Sequence, residues 1–189
     1  SKISSIGEKY KIWAGTLPKT GRTLAKEIVK VEGPIHEEEL LNKMRIHLGI
    51  SRMSSKTKTE MQNQVFSALR DKVIERLDGE EDFFVIQGFE LKNISPRHRE
   101  SLPEDPKYIS YLEILCTAEK VFEKTGETPM DELVKNISLV LGYKMLSSKI
   151  QNQINEALNR TSLKKIGLKL DHRYRLSRST DFISIFRGN

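Results

Sequence analysis

Apolar residues recur at spacings of three and four along much of the chain, and this spacing predicts helices. The pattern begins with Leu24, Ile28 and Val31. It returns in the second half of the chain at five positions: Leu112, Leu115, Cys116, Val121 and Phe122. A turn containing Gly and Pro follows each stretch, as EGPIHEEEL and as TGETPMDEL. Gly and Pro therefore end the first predicted helix in each half.

The two halves repeat one pattern. ELLNKMRIHL at 39–48 corresponds to ELVKNISLVL at 132–141, and QNQVFSAL at 62–69 corresponds to QNQINEAL at 151–158. A Gly and a Ser-Ser-Lys triplet lie between the matched blocks in both copies. The offset changes from 93 to 89 residues, so the first copy has about one extra helical turn. The alternative is a pair of generic amphipathic helices.

Each copy predicts three helices followed by a hairpin. Gly49 and Gly142 suit left-handed caps at the end of the second helix, and Ser54 and Ser147 suit caps at the start of the third. The third helix should bury Met61, Val65, Ala68 and Leu69 in the first copy, and Ile150, Ile154, Ala157 and Leu158 in the second. The predicted hairpins are VIERL, the turn DGEED and FFVI, then SLKKIGLKL, the turn DHR and YRLS. Asp-Gly between apolar runs is a strong hairpin signal.

This order predicts a mainly α fold with short β-hairpins, arranged as tandem winged-helix-like (helix-turn-helix) repeats. Pro and charged residues between the copies indicate a linker. The predicted organisation is an N-terminal lead-in at 1–20, a first repeat at 21–94, a linker at 95–107, a second repeat at 108–178 and a C-terminal tail at 179–189. The chain opens without Met or a complete element, so we expect a fragment of a larger protein.

Composition narrows the class of protein. Hydrophobic residues make up 37% of the chain and charged residues 31%, a globular balance. We expect no contact with a membrane, because no apolar run reaches the roughly 18 residues of a membrane span. Cys116 is the single cysteine; it suits a reducing cytoplasm, and its apolar setting predicts a buried packing residue. The net charge of +6 favours anionic partners.

The run IVKVEGPIHEEELL at 28–41 resembles an uncharacterised C-terminal domain of large bacterial superfamily-one helicase-like proteins, which often carry a restriction-type nuclease domain. The residues that carry this resemblance are Glu32, Gly33, Pro34, Ile35, His36, Gly49 and Arg52. LGYKMLSSKIQNQINEAL at 141–158 is similar to the stretch that follows in those proteins, and the resemblance covers roughly 25–176. It implies a helicase motor or nuclease domain as a neighbour, and no activity for this piece. The acidic turn of the first hairpin departs from the family pattern. This departure argues against DNA contact by that hairpin.

No catalytic, metal or cofactor site is expected. The sequence has no GxxxxGK[ST], HExxH or CxxC motif, so the common routes to nucleotide or zinc binding are missing. His36 precedes three glutamates, but consecutive helical residues point in different directions and cannot converge on one ion. We expect His36 to form a local hydrogen bond near a helix start. The chain is therefore not predicted to be an enzyme.

The water-facing side of the third helix carries the functional hypothesis. In the second copy this face has Ser148, Asn152, Asn155 and Asn159, with Lys149 and Gln151 beside it. In the first copy it has Lys56, Thr59, Asn63 and Arg70, flanked by Lys58. Asn and Gln can pair with adenine edges, whereas Ser and Lys reach phosphates. The alternative is an ordinary solvated helix face.

Charge distinguishes the two hairpin regions. Residues 71–90 contain seven acids and two bases, a net −5, whereas 144–178 contain nine bases and two acids, a net +7. Five of the bases near the second hairpin are predicted DNA contacts: Lys164, Lys165, Lys169, Arg173 and Arg175. A cationic surface releases counterions when it binds phosphate, so the second copy should be the main DNA-binding unit and the acidic first hairpin should face a protein partner. The alternative function is a protein-interaction or dimerisation scaffold without DNA affinity.

Overall fold

A computed structural model describes residues 17–90, 94, 105–126, 128–159, 168–170 and 176–178. For 17–20, 168–170 and 176–178 only the backbone is described. The chain divides into two compact units, Ser1–Leu91 and Lys92–Asn189. Most of the predicted lead-in and linker, and all of the predicted tail, lie outside the described residues.

The first unit is mainly helical with a small antiparallel sheet. Its elements are α1 (Leu17–Glu32), β1 (Ile35–His36), α2 (Glu37–His47), α3 (Ser55–Arg70), β2 (Ile74–Leu77) and β3 (Glu80–Ile86). The three strands lie in the order β1-β3-β2. The predicted Asp-Gly hairpin is confirmed, but its turn is only Asp78 and Gly79, and Gly79 has a φ of 80°. The predicted five-residue turn is too long because β3 already begins at Glu80.

The core of the first unit lies between α1, α2, α3 and the sheet. It contains Leu24, Ile28, Leu40, Met44, Met61, Val65, Ala68 and Phe84, each at most 2% exposed. Val31 belongs to the apolar spacing that predicts this helix, but it is 61% exposed and lies outside the core. Helix α1 instead buries Ala25 and Val29 beside Leu24 and Ile28, so its inward face is rotated away from Val31. The predicted inward residue Leu69 is only partly buried.

Residues 33–36 connect α1 to α2, and the backbone at Gly33 packs closely against the last turn of α1. The amide of Gly33 donates to the Val29 carbonyl at 2.8 Å, and a Cβ at Gly33 would lie 2.6 Å from that oxygen. The Gly33–Pro34 peptide is cis. Ile35 then pairs with Phe84 in the sheet. This connection was predicted only as a turn, and the two-residue strand inside it is an addition from the structure.

The predicted caps of the first unit are confirmed. Ser54 precedes α3, and its hydroxyl accepts from the Thr57 amide at 3.1 Å. Gly49 follows α2 with a φ of 69°, the left-handed conformation that glycine adopts without steric cost. His36 precedes α2, and its Nδ1 accepts from the Glu38 amide at 3.1 Å. This is the local hydrogen bond that the sequence predicts for His36.

The second unit contains a short 3-10 helix (Pro106–Tyr108), α4 (Tyr111–Thr125), α5 (Met130–Val140), α6 (Ser148–Asn159), and the antiparallel strands β4 (Leu168–Leu170) and β5 (Leu176–Arg178). An antiparallel strand pair is therefore confirmed where the second hairpin is predicted, whereas the predicted turn DHR lies outside the described residues. Gly142 follows α5 with a φ of 98°. The Ser147 hydroxyl accepts from the Ile150 amide at 3.4 Å, which puts it at the predicted cap position of α6.

Helices α4, α5 and α6 bury one apolar surface. Its most buried side chains are Ile114, Leu115, Ala118, Leu133, Ile137, Ile150, Ile154, Ala157 and Leu158, all 0% exposed. The four predicted inward residues of α6 are thereby confirmed. Cys116 was predicted to be a buried packing residue; it is only half-buried, and its thiol donates to the Ile94 carbonyl at 3.1 Å. Within the described parts of the chain, no helix has both the length and the apolar character needed to cross a membrane.

Candidate nucleic-acid interface

Helix α6 separates an apolar face from a polar one. Its buried residues recur at Ile150, Ile154 and Leu158, so the opposite side of the helix faces water. Five of the six predicted contact residues on α6 are exposed: Ser148, Lys149, Gln151, Asn152 and Asn159. The sixth, Asn155, is half-buried at the edge of this surface. We call these six residues the α6 face; Lys149 and Gln151 lie at its two edges, about 160° apart around an ideal helix axis.

One acid interrupts the polar side of α6. Glu156 is exposed, but the hydroxyl of Tyr111 on α4 donates to its Oε2 atom at 2.8 Å. This hydrogen bond holds the carboxylate toward α4. Gln153 also turns toward its own unit, since its Nε2 atom donates to the Ile109 carbonyl at 3.2 Å. The α6 face is thus composed mainly of amides, which both donate and accept hydrogen bonds, with Lys149 as its cation.

Helix α3 has a corresponding water-facing side in the first unit. Lys56 and Asn63 are both exposed, and their seven-residue separation puts them within about 20° of each other around an ideal helix. Lys58 is exposed as well, but it lies about 140° from Asn63 around the helix axis. The structure therefore brings Lys56 and Asn63 to one side and leaves Lys58 on another.

The exposed surface of the first hairpin is acidic. Asp78, Glu81 and Asp82 are exposed at or beside its turn. Arg76 is held on the hairpin itself, where its guanidinium donates to the Glu81 carbonyl and lies 5.2 Å from the centre of the Phe84 ring. This surface repels phosphate, in agreement with the net −5 of the sequence.

The second hairpin is described only in part. Lys169 lies on β4 and is paired in register with Ser177 on β5. The other predicted contacts of this hairpin, Lys164, Lys165, Arg173 and Arg175, lie outside the described residues. The structure therefore fixes the backbone position of Lys169 within an antiparallel pair, and the cationic character of this region rests on the sequence.

Two surface features were missed by the sequence reasoning. Phe66 is 50% exposed on α3, although Phe usually lies inside. Around the α5–α6 turn, four apolar residues are 39–82% exposed: Leu139, Val140, Met145 and Leu146. The available signal was positional: Phe66, Leu139 and Val140 fall outside the spacing of the inward-facing residues on their helices, and Met145 and Leu146 lie in the turn between α5 and α6.

Two side chains have shifted acidities. Partial burial, followed by the charge of Lys43, lowers the pKa of His47, and Glu32 opposes this shift. Burial raises the pKa of the Cys116 thiol, which disfavours the reactive thiolate. Among the described residues, no group of three or more His, Cys, Asp or Glu side chains could hold a metal ion.

Comparison with known protein families gives a match to part of the first unit. Residues 22–58 match the model of a family described as a protein of unknown function (DUF3320). The matched segment runs from the first turns of α1 through β1 and α2 to the start of α3, so it includes the Gly33–His36 connection and ends before Asn63. No curated protein and no solved structure matches the chain. The match indicates an uncharacterised domain in this part of the first unit.

Proposed function

We propose that the chain is a nucleic-acid-binding accessory module for double-stranded DNA, within a larger cytoplasmic protein that carries a helicase motor or nuclease domain. The proposal of a larger protein with a helicase motor or nuclease domain rests on the sequence resemblance. The match at 22–58 to an uncharacterised domain is compatible with it. The DNA-binding role rests on the side chains that α3 and α6 expose. The module itself binds DNA and catalyses no reaction.

The order of elements supports a winged-helix-like architecture for each unit, with repeats at 21–94 and 108–178. In the first unit, a helix, a short strand, two helices and a hairpin follow one another, and the short strand joins the hairpin in one sheet. The second unit has three helices and a two-stranded hairpin. In helix-turn-helix proteins the second helix of the motif enters the major groove, and α3 and α6 hold that position here.

The α6 face is the observation that carries the proposal. Asn152 and Asn159 are exposed one above the other, seven residues apart, with Ser148 and Lys149 exposed in the first turn. Amides can pair with base edges, and Ser and Lys can bind phosphates. The one acid on this side, Glu156, is held by Tyr111. Its negative charge is offset by Lys149, so this side of α6 has no net charge to repel a polyanion.

A charge-reversal pair tests this assignment. We expect duplex DNA binding, followed by fluorescence anisotropy at low salt, to weaken in Lys149→Glu, which puts an acid on the α6 face. The matched control is Lys124→Glu, an identical charge change at an exposed position on α4. If both variants bind equally well, net charge alone governs the interaction and the α6 face has no special role. If the wild type does not bind DNA, the proposed function is wrong.

The second candidate function is a dimerisation scaffold without DNA affinity. The exposed apolar residues Leu139, Val140, Met145 and Leu146 favour it, because adjacent apolar side chains on a surface often mark a protein contact. This function predicts a dimer by light scattering that Met145→Glu dissociates, together with no binding of duplex DNA. A monomer that binds DNA contradicts it.

A further inference from the structure

Phe66 lies in a row of water-facing side chains on α3. The core residues of this helix, Met61, Val65 and Ala68, are at most 2% exposed, whereas Phe66 is 50% exposed. Residues three and four positions apart on a helix are neighbours on its surface. Phe66 therefore lies between Asn63, three residues before it, and Arg70, four residues after it. We call Lys56, Thr59, Asn63, Phe66 and Arg70 the α3 row.

The neighbours of Phe66 in this row are accessible to a ligand. Asn63 is exposed. The side chain of Arg70 is 79% exposed, and its Nε atom is 3.8 Å from an Asp71 oxygen. Asp71 also forms an ion pair with Arg22, so Asp71 keeps a cation partner when Arg70 turns outward. The row thus offers an amide, an aromatic ring and a guanidinium on one side of one helix.

Comparison of the two copies shows that the core does not require an aromatic residue at the position of Phe66. Across the QNQ blocks, Val65 and Ala68 correspond to Ile154 and Ala157, and all four are buried. Phe66 corresponds to Asn155, which is polar and half-buried. The inward positions therefore keep their apolar character in both units, whereas this outward position differs. The ring is a feature of the exposed surface of α3.

The chemistry of the α3 row matches one kind of base pair. An Asn side chain can bind the N6 and N7 atoms of adenine with two hydrogen bonds, and a Phe ring can contact the 5-methyl group of thymine. Side chains three apart on a helix have Cβ atoms about 5–6 Å apart, and stacked bases are about 3.4 Å apart along the duplex. Asn63 and Phe66 can therefore reach one A·T pair or two adjacent pairs.

We propose that Phe66 contacts a thymine methyl group in the major groove and gives the first unit a preference for A·T pairs. This inference rests on the proposed DNA-binding function and adds to it. The basic second unit then supplies most of the phosphate attraction. The first unit, whose acidic hairpin adds no such attraction, supplies base selectivity through α3.

Uracil substitution tests the proposal, because uracil differs from thymine only by the missing methyl group. Anisotropy titrations compare an A·T-rich duplex with the same duplex containing uracil in place of thymine. We expect uracil to weaken wild-type binding about fourfold, the effect of burying one methyl group. In Phe66→Ser the two duplexes should bind equally. Ile46→Ala is the matched control, since Ile46 is 56% exposed on α2, and it should keep the wild-type ratio.

The possible failures are distinguishable. If the wild type binds neither duplex, the proposed function fails and the inference fails with it. If the wild type binds both duplexes equally, the function stands and the thymine contact is wrong. If Phe66→Ser keeps the wild-type ratio, a residue other than Phe66 contacts the methyl group. If single-stranded DNA of the same sequence binds more tightly than the duplex and this advantage is lost in Phe66→Ser, the ring stacks on unpaired bases instead.

Discussion

The ring of His36 meets the ring of Phe83 edge to face, with centroids 5.2 Å apart and planes at 85°. The two residues are also register partners in the β1–β3 pair. His36 Nδ1 at the same time accepts the Glu38 amide at the start of α2. One side chain therefore connects a helix start to the sheet. This gives the EGPIH segment, which lies within the family match, an architectural role that is separate from DNA contact.

Replacing His36 should destabilise the first unit without altering the exposed α3 row. We expect His36→Ala to lower the free energy of unfolding by about 1–3 kcal/mol, since it removes a helix cap and an aromatic contact. His36→Asn retains an acceptor for the Glu38 amide and should lose less. Urea unfolding followed by circular dichroism gives both values. Equal losses in the two variants would show that the cap contributes nothing.

Substitutions on the buried face of α6 should reduce stability, whereas substitutions on its exposed face should reduce DNA binding. Ile154 is 0% exposed, so Ile154→Ala should cost about 2–5 kcal/mol of unfolding free energy. Asn152 is exposed, so Asn152→Ala should change stability by less than about 0.5 kcal/mol and should weaken DNA binding. Thermal unfolding and anisotropy measure the two effects. A large stability loss in Asn152→Ala contradicts the assigned orientation of α6.

His47 should make the first unit less stable in acid. Its pKa is lowered in the fold, chiefly by burial and then by Lys43, so the unfolded chain binds its proton more readily. The contribution of His47 is fully present above its ordinary pKa of about 6.5 and is lost as the pH falls through the lowered value. In His47→Gln this part of the pH dependence should vanish. Urea unfolding midpoints are measured at pH values above and below that range. If the midpoint of His47→Gln changes with pH as much as that of the wild type, the prediction is wrong.

The Cys116 thiol should react slowly in the folded chain. Burial raises its pKa, and its proton is donated to the Ile94 carbonyl, so little thiolate forms near neutral pH. We expect iodoacetamide to alkylate Cys116 more slowly in the native protein than in urea at the same pH. The native rate should still increase above about pH 8.5, where an ordinary thiol is half ionised. Equal native and unfolded rates contradict this account.

Sequence reasoning predicted the elements that depend on local signals. Ser54, Gly49 and the Asp78–Gly79 turn act within a few residues of themselves, and the structure confirms all three. The inward residues of α6 follow from spacing alone. The strand at Ile35–His36 was missed because two residues carry no periodic signal and because the strand forms only by pairing with Phe83 and Phe84, almost fifty positions later.

The misses in burial have a different cause. Val31 continues the helical spacing of Leu24 and Ile28, but α1 turns Ala25 and Val29 toward its neighbours, and only tertiary packing fixes that rotation. Phe66 was missed because the apolar spacing of α3 identifies its inward residues and gives no signal for an exposed aromatic residue on the opposite side. For the candidate site, the sequence predicted the amide-rich face of α6, and helix geometry alone separates Lys58 from Asn63 by about 140° around the α3 axis.

The salt dependence of duplex DNA binding tests the central claim most directly. Affinity is measured by anisotropy between about 50 mM and about 200 mM salt, for the wild type and for a variant with Lys149, Asn152 and Asn159 all replaced by Ala. We predict micromolar binding that weakens steeply with salt in the wild type. The variant should bind more weakly, with a salt slope smaller by about one unit for the lost lysine. Absence of binding at the lowest salt, or identical curves for the two proteins, would contradict a DNA-binding role for the α6 face.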